Sequence, residues 1–241
     1  MHKLLVGWMY PDLLNLHGER GSLQALMQVG QDLGIDIQIC RIEKPSDTIP
    51  FDELDLLVFL PGEITTLTHL IPALLSQKDG LDAYLQKNGY LLSLGTTGLM
   101  FGKSITREDG TQIQGLGYLD MTATERKYVW GDDLHICLRR NKQALIGSQI
   151  MMADVTAKYP LADTIYGRGN NGTGTDGARW KNLIYTNCLG PLFVKNPWFA
   201  ESILKDIILQ KSADISPEKE YRIAQDSYAA TLAFIKNKPK R

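Results

Sequence analysis

Apolar positions in the first hundred residues switch between two periods. Residues 4–9 are a nearly unbroken apolar run, which predicts a buried strand. From about residue 22, Leu23, Leu26, Met27, Gly30 and Leu33 recur at helical spacing on one face, and Gly34 supplies the stop. Ile35, Ile37 and Ile39 then alternate with polar neighbours as a strand through residue 40, and residues 56–60 form a second apolar run. Residues 67–85 read as helical with a kink or break near Pro72 and Gly80, and residues 90–94 return to strand character. Right-handed crossovers turn this β-α-β-α-β order into a parallel sheet with helices on both faces, its loops gathered where sites form, at the strands' C-terminal ends. Two segments belong at that rim: Leu60-Pro61-Gly62-Glu63 and Gly95-Thr96-Thr97-Gly98.

Beyond residue 115 the pattern shortens. Pieces such as 134–138 and 144–151 predict antiparallel strands added to the sheet, followed by a Gly/Asn-rich loop over 167–177. Asn196-Pro197 reads as the cap of a helix with Phe199, Ala200, Ile203, Leu204, Ile207 and Ile208 on one stripe. Ser216-Pro217-Glu218 predicts the start of another, which runs into a basic tail over 236–241. No internal repeat or low-complexity segment interrupts the chain. The expected organisation is a main domain over 1–210, with a C-terminal helix and tail over 211–241 packed on it or extending from it.

Composition narrows the function classes. With 44% hydrophobic and 22% charged residues in 241, the chain can bury a core without disulfides or metal. A net charge of −1 supplies no basic field for a nucleic acid backbone. Cys40, Cys137 and Cys188 are odd in number and lack Cys-x-x-Cys spacing, so neither a disulfide framework nor a zinc site is expected. No run approaches the roughly 18 apolar residues of a membrane helix, and the N-terminal apolar stretch is too short for a signal peptide. A cytoplasmic protein without metal, cofactor or membrane insertion is expected.

Residues 91–104 carry the main chemical signal, an apolar strand entering a Gly-rich turn and then a short helix. Such an elbow drives its apical residue towards positive φ, at about 1–3 kcal/mol for a residue with a side chain and almost nothing for glycine. Nucleophiles sit at elbows of this kind, yet the apical residue here is Gly95.

The segment Tyr10-Pro11-Asp12-Leu13-Leu14-Asn15-Leu16-His17-Gly18-Glu19-Arg20-Gly21 closely resembles the opening of the GatD family, CobB/CobQ-like class I glutamine amidotransferases. The resemblance recurs at Gly115-Leu116-Gly117, at Gly169-Asn170-Asn171-Gly172, through Asp176-Gly177-Ala178-Arg179-Trp180-Lys181-Asn182, and at Gly190-Pro191-Leu192 to Pro197, covering most of the chain to about residue 210. It implies an α/β, flavodoxin-like fold with a central, mostly parallel sheet. It also implies a glutaminase subunit that pairs with a MurT-type, Mur-ligase-like synthetase and supplies ammonia for the D-glutamate of the lipid II stem peptide.

The family's chemistry needs a cysteine nucleophile, a histidine and backbone oxyanion donors. Its Cys-Gly-Gly-Tyr-Gln elbow falls on Gly95-Thr96-Thr97-Gly98-Leu99, and its Leu-His-Gly-Pro on Cys188-Leu189-Gly190-Pro191. The nucleophile position is therefore Gly95 and the histidine position Leu189. The family's Asn-His-Gly-Gly-Arg-Thr segment falls roughly on residues 150–156, which hold no His or Arg, and its Gly-Gly-Gly-Gln oxyanion loop reads Leu60-Pro61-Gly62-Glu63. Gly62, Thr96 and Thr97 remain as oxyanion or substrate-binding candidates, and Cys188 as a displaced nucleophile. Loss of a nucleophile alone removes about 10⁶ of rate, roughly 8 kcal/mol.

Three functions follow. The first is a catalytically degenerate subunit acting as scaffold, regulator or ammonia conduit for the synthetase. The second is an active glutamine-hydrolysing subunit of lipid II isoglutaminyl synthase that uses Cys188, Thr96 or Thr97. The third is a module that binds a small molecule or anion, glutamine included, in the emptied pocket. Other signals read structurally. Gly98 to Ser104 resembles a phosphate loop but lacks one residue of the required spacing. His17 lies in a loop read as polar with Glu19 and Arg20, which the resemblance puts near the partner interface or the site rim and which equally reads as loop capping; His69 and His135 read as surface or core residues. Glu125-Arg126-Lys127 reads as a solvated run, and Trp180, Trp198 and Tyr185 as core.

Overall fold

The computed structural model describes residues 2–211 and 220–238; residue 1, the expected helix start at Ser216-Pro217-Glu218, and residues 239–241 of the basic tail lie outside them. The first sheet contains β1 (His2–Met9), β2 (Ile35–Ile42), β3 (Leu56–Phe59), β4 (Tyr90–Leu94), β11 (Ala178–Trp180) and β12 (Leu183–Thr186), in the order β11-β12-β4-β3-β1-β2. All its pairings are parallel except the β11 edge, and the register aligns Val6 with Leu56, Val58 with Leu92, and Leu92 with Ile184. Every residue of β3, β4 and β12 is buried, as unbroken apolar runs demand of a sheet covered on both faces. The covering helices are α1 (Arg20–Asp32) on one side and α2 (Ile64–Leu75) with α3 (Lys78–Gln86) on the other, because right-handed crossovers from β1 and β3 run in opposite directions along the sheet.

Pro72 and Gly80 do not break the helical stretch. Pro72 lies inside α2 and Gly80 inside α3, and the chain is interrupted between them at Ser76 and Gln77. The antiparallel strands also differ from expectation, since only β11 joins the first sheet. A second sheet is built on the hairpin of β7 (Met121–Leu138) and β8 (Ala144–Ala157), with β5 (Ser104–Thr106), β6 (Gln112–Gln114), β9 (Ala162–Tyr166) and β10 (Thr175–Asp176) on its flanks. Burial along β8 alternates, as in a sheet with one face to the core and one to water.

After β12 come a short helix α4 (Leu192–Lys195), then α5 (Pro197–Gln210) and α6 (Arg222–Lys236). The stripe from Phe199 to Ile208 on α5 is buried. Asn196 is not a side-chain cap; its amide group instead pairs with both backbone groups of Ile146 (2.8 and 2.9 Å), docking α5 on β8. His135 is buried with its Nε2 2.8 Å from the Tyr228 hydroxyl of α6, while His69 is exposed. Tyr185 is core and Trp198 half-buried, but Trp180 is 37% exposed and stacks on Tyr118. The charged run is not wholly solvated either, for Glu125 pairs with Arg107 and Arg126 with Asp154. No helix among the described residues is long and apolar enough to cross a membrane.

Candidate functional site: a closed strand-to-helix elbow

Strand β4 ends at Leu94 and the chain turns through Gly95 into a 3-10 segment, Gly95–Phe101. Gly95 has φ +60°, the left-handed conformation that an elbow imposes on its apical residue. A Cβ at Gly95 would lie 3.5 Å from Pro61 and 3.8 Å from Leu189 Cδ1, both ordinary contacts. The fold thus brings Gly95, Leu189 and the loop over 60–63 together and lines them with apolar carbon.

Thr96 closes the gap between elbow and loop. Gly62 N–H donates to Thr96 Oγ1 at 3.2 Å, and the Thr96 hydroxyl donates in turn to Gly62 O. The Gly62 amide, an oxyanion candidate, is therefore engaged by a side chain of the elbow. Thr97 points into the fold: it is fully buried, donates to Leu94 O (2.9 Å), and accepts from the Ser93 hydroxyl (2.9 Å).

Leu189 is held by backbone bonds to Ser148 in both directions (2.8 and 2.9 Å), which ties the second sheet to the elbow. Beside it lies the residue that sequence reading missed. Glu19, expected in a polar loop, is fully buried and accepts from Gly190 N (2.5 Å), Leu192 N (3.1 Å) and the Ser22 hydroxyl (2.8 Å). Burial raises its pKa, and those hydrogen bonds offset part of the rise. Glu19 belonged to the family-like opening, but nothing in that motif marked a contact 171 residues away. The same opening loop joins the rim through Leu16 N–H to Pro61 O (3.1 Å), and His17 is exposed on it in a left-handed conformation.

Cys188 is fully buried, and burial first, then the charges of Asp176 and Glu19, push its thiol well above the usual range. A thiol so placed is protonated and shielded from substrate. Beneath it lies a buried polar cluster. Asp176 accepts from the Thr186 hydroxyl (2.6 Å) and Asn187 Nδ2 (2.9 Å), while Asn187 Oδ1 accepts from the Tyr185 hydroxyl (2.8 Å). The phosphate-loop-like stretch is similarly occupied: Lys103 pairs with Asp120, and the Gly102 and Lys103 amides donate to Leu99 and Met121 carbonyls.

The window over 150–156 holds a buried Met151 and an acidic residue, Asp154, gripped by Arg126 (2.8 Å) and Arg168 (3.0 Å). Burial alone would raise the Asp154 pKa, but the two arginines outweigh it and hold it below the usual range. A carboxylate with a depressed folded pKa stabilises the protein above its unfolded value, and the gain disappears as pH falls through the folded one. Asp154→Asn is therefore expected to cost about 1 kcal/mol at pH 7 and progressively less as the pH falls through the folded pKa, measured by urea unfolding across the acid range.

No protein-family model matches the chain. The chain is 22% identical over 249 aligned positions to the lipid II isoglutaminyl synthase (glutamine-hydrolyzing) subunit GatD of Streptococcus pneumoniae (strain ATCC BAA-255 / R6), covering 98% of this chain and 93% of that one. It is 25% identical over 232 positions to the subunit of the same name from Staphylococcus aureus (strain N315), covering 91% and 90%. Among solved structures, a glutamine amidotransferase superposes with a TM-score of 0.52 at 15% identity over 84% of this chain and 98% of its own. The glutaminase domain of Trypanosoma brucei CTPS with bound acivicin superposes at 0.50 and 10% identity, over 91% and 98%. The chain is thus GatD-like in sequence over nearly its whole length, and its fold is that of a class I glutamine amidotransferase.

Proposed function

We propose that this protein is a non-catalytic, GatD-like subunit that serves a MurT-type, Mur-ligase-like synthetase in the cytoplasm as scaffold, regulator or conduit for free ammonia, in amidation of a cell-wall precursor. The observation that carries the reading is the elbow itself: Gly95 occupies the left-handed apex, and Pro61 and Leu189 face the space a nucleophile would use. The Thr96 hydroxyl on the Gly62 amide supports it, because an oxyanion there would have to displace a formed hydrogen bond. The partner reading rests on the two relatives, both named as subunits of a synthase. Cys188 serves as a core residue in this reading, its thiol buried and protonated.

Glutamate release from glutamine tests the proposal. The purified protein, alone and co-expressed with a Mur-ligase-like synthetase, is expected to release glutamate no faster than buffer, about 10⁶ below a working glutaminase. Turnover above background that is abolished by Cys188→Ala or Thr96→Val would overturn it.

A further inference from the structure

Outside the elbow, at the opposite end of β4 and roughly 13 Å away by strand rise, lies a recessed cavity of about 250 Å³. It forms at the seam where the turn of the β7–β8 hairpin meets α5 and the β11 edge of the first sheet. Its inner wall is apolar, made by Leu138, Leu161, Ile184, Phe199 and Ile203, all buried. Two guanidinium groups, Arg140 and Arg179, line it together with the hydroxyls of Tyr90 and Ser202 and with one carboxylate, Asp206.

The charges in this cavity do not cancel. Arg140 Nη1 reaches Asp206 Oδ2 at 2.8 Å, and the Tyr90 hydroxyl donates to the same oxygen at 2.8 Å. Arg179 donates through Nε to the Lys181 carbonyl (2.8 Å), and no ion pair holds it among the described residues. Burial, followed by the like charge of Arg140, lowers the pKa of Arg179, and the nearby Asp206 charge and a hydrogen bond with Tyr90 offset part of the fall. Each guanidinium offers five N–H donors in a planar fork, so most of those on Arg179 are left to a further acceptor. Two cations converging on one recess beside a single anion make a site that a second anion would complete.

We propose that this recess binds a phosphoryl group on a small molecule, with Arg179 as the primary contact, Arg140 and Ser202 as secondary contacts, and the apolar wall against a short carbon body. The volume fits a phosphate with a few carbons and is below the range of about 300–1,000 Å³ typical of larger cofactors. The site is independent of the elbow and of the proposed loss of glutaminase chemistry.

Thermal unfolding of the full chain is the test, with inorganic phosphate or pyrophosphate compared against sodium chloride at matched ionic strength. At ten times its Kd, phosphate is expected to raise Tm by roughly 3–6 °C, and chloride to leave it unchanged. Arg179→Gln is expected to abolish the rise, and Asp206→Asn, which removes the competing carboxylate, to tighten binding several-fold. Calorimetric titration of the unsubstituted protein supplies the direct Kd should Arg179→Gln fail to fold. An equal rise with chloride, a rise that survives in Arg179→Gln, no tightening in Asp206→Asn, or no binding heat up to about 10 mM phosphate would each overturn the proposal. A surviving rise would put the anion elsewhere, such as the elbow amides.

Discussion

Gly98→Ala is expected to lose about 2–6 kcal/mol of stability, a large fraction of a domain total of about 5–15 kcal/mol. A Cβ at this position would lie 1.9 Å from Tyr185 Cδ2 and 2.5 Å from two further ring atoms. The ring cannot retreat cheaply. It is buried, its hydroxyl is bonded to Asn187, and Asn187 is bonded in turn to Asp176 and Asn170. Ordinary overpacking costs about 1–3 kcal/mol, and pulling the tyrosine from its partner adds an unpaired buried group at about the same cost. Gly95→Ala is the control three residues earlier, where a Cβ meets nothing nearer than 3.5 Å and only the left-handed backbone opposes it, at about 1–2 kcal/mol. Urea unfolding of both variants checks the contrast; equal losses would mean that the Tyr185 ring yields.

Glu19→Ala is expected to cost about 3–5 kcal/mol, because it strips the acceptor from the buried Leu192 amide and Ser22 hydroxyl and from the partly buried Gly190 amide. The readout is local as well as global: hydrogen exchange at the Gly190 and Leu192 amides should accelerate by more than at β4, since the segment beside Leu189 loses its anchor first. Glu19→Gln keeps one acceptor oxygen but turns an NH₂ towards the second amide, so an intermediate loss is expected. The raised pKa fixes the sign of its pH dependence. Glu19 takes up its proton in the fold before it would in the unfolded chain, so acid does not unfold the protein through this residue, whereas Asp154 titrates the other way.

What could be read from sequence follows the period of the residues. Strands β3 and β4 announce themselves as apolar runs, and the α5 stripe as a helical repeat, because burial on two faces or one stripe writes itself directly into composition. The long β7–β8 hairpin was legible only in pieces. Its half from Thr122 to Asp133 carries charged and polar residues on the solvent side, and the pairing slips between Glu125 and Trp130, so no clean alternation survives. At the elbow, the glycine, the leucine and the Gly62 loop were each recognisable, and the structure adds what spacing cannot express, that Thr96 reaches across to Gly62. Glu19 was invisible because a charged residue is read as surface until the fold supplies the partners that keep it inside.

On the proposed non-catalytic reading, the Thr96 bond also bears on how this chain would regain glutamine chemistry. A cysteine at Gly95 would have no base while Leu189 stands opposite, a histidine at Leu189 would have no thiol to serve, and either would still face an amide already taken by Thr96. In that reading no single substitution at these positions supplies both a nucleophile and its base. On the proposed non-catalytic reading the closed elbow works as a ratchet, leaving the scaffold free to drift towards other uses while glutamine chemistry stays out of reach.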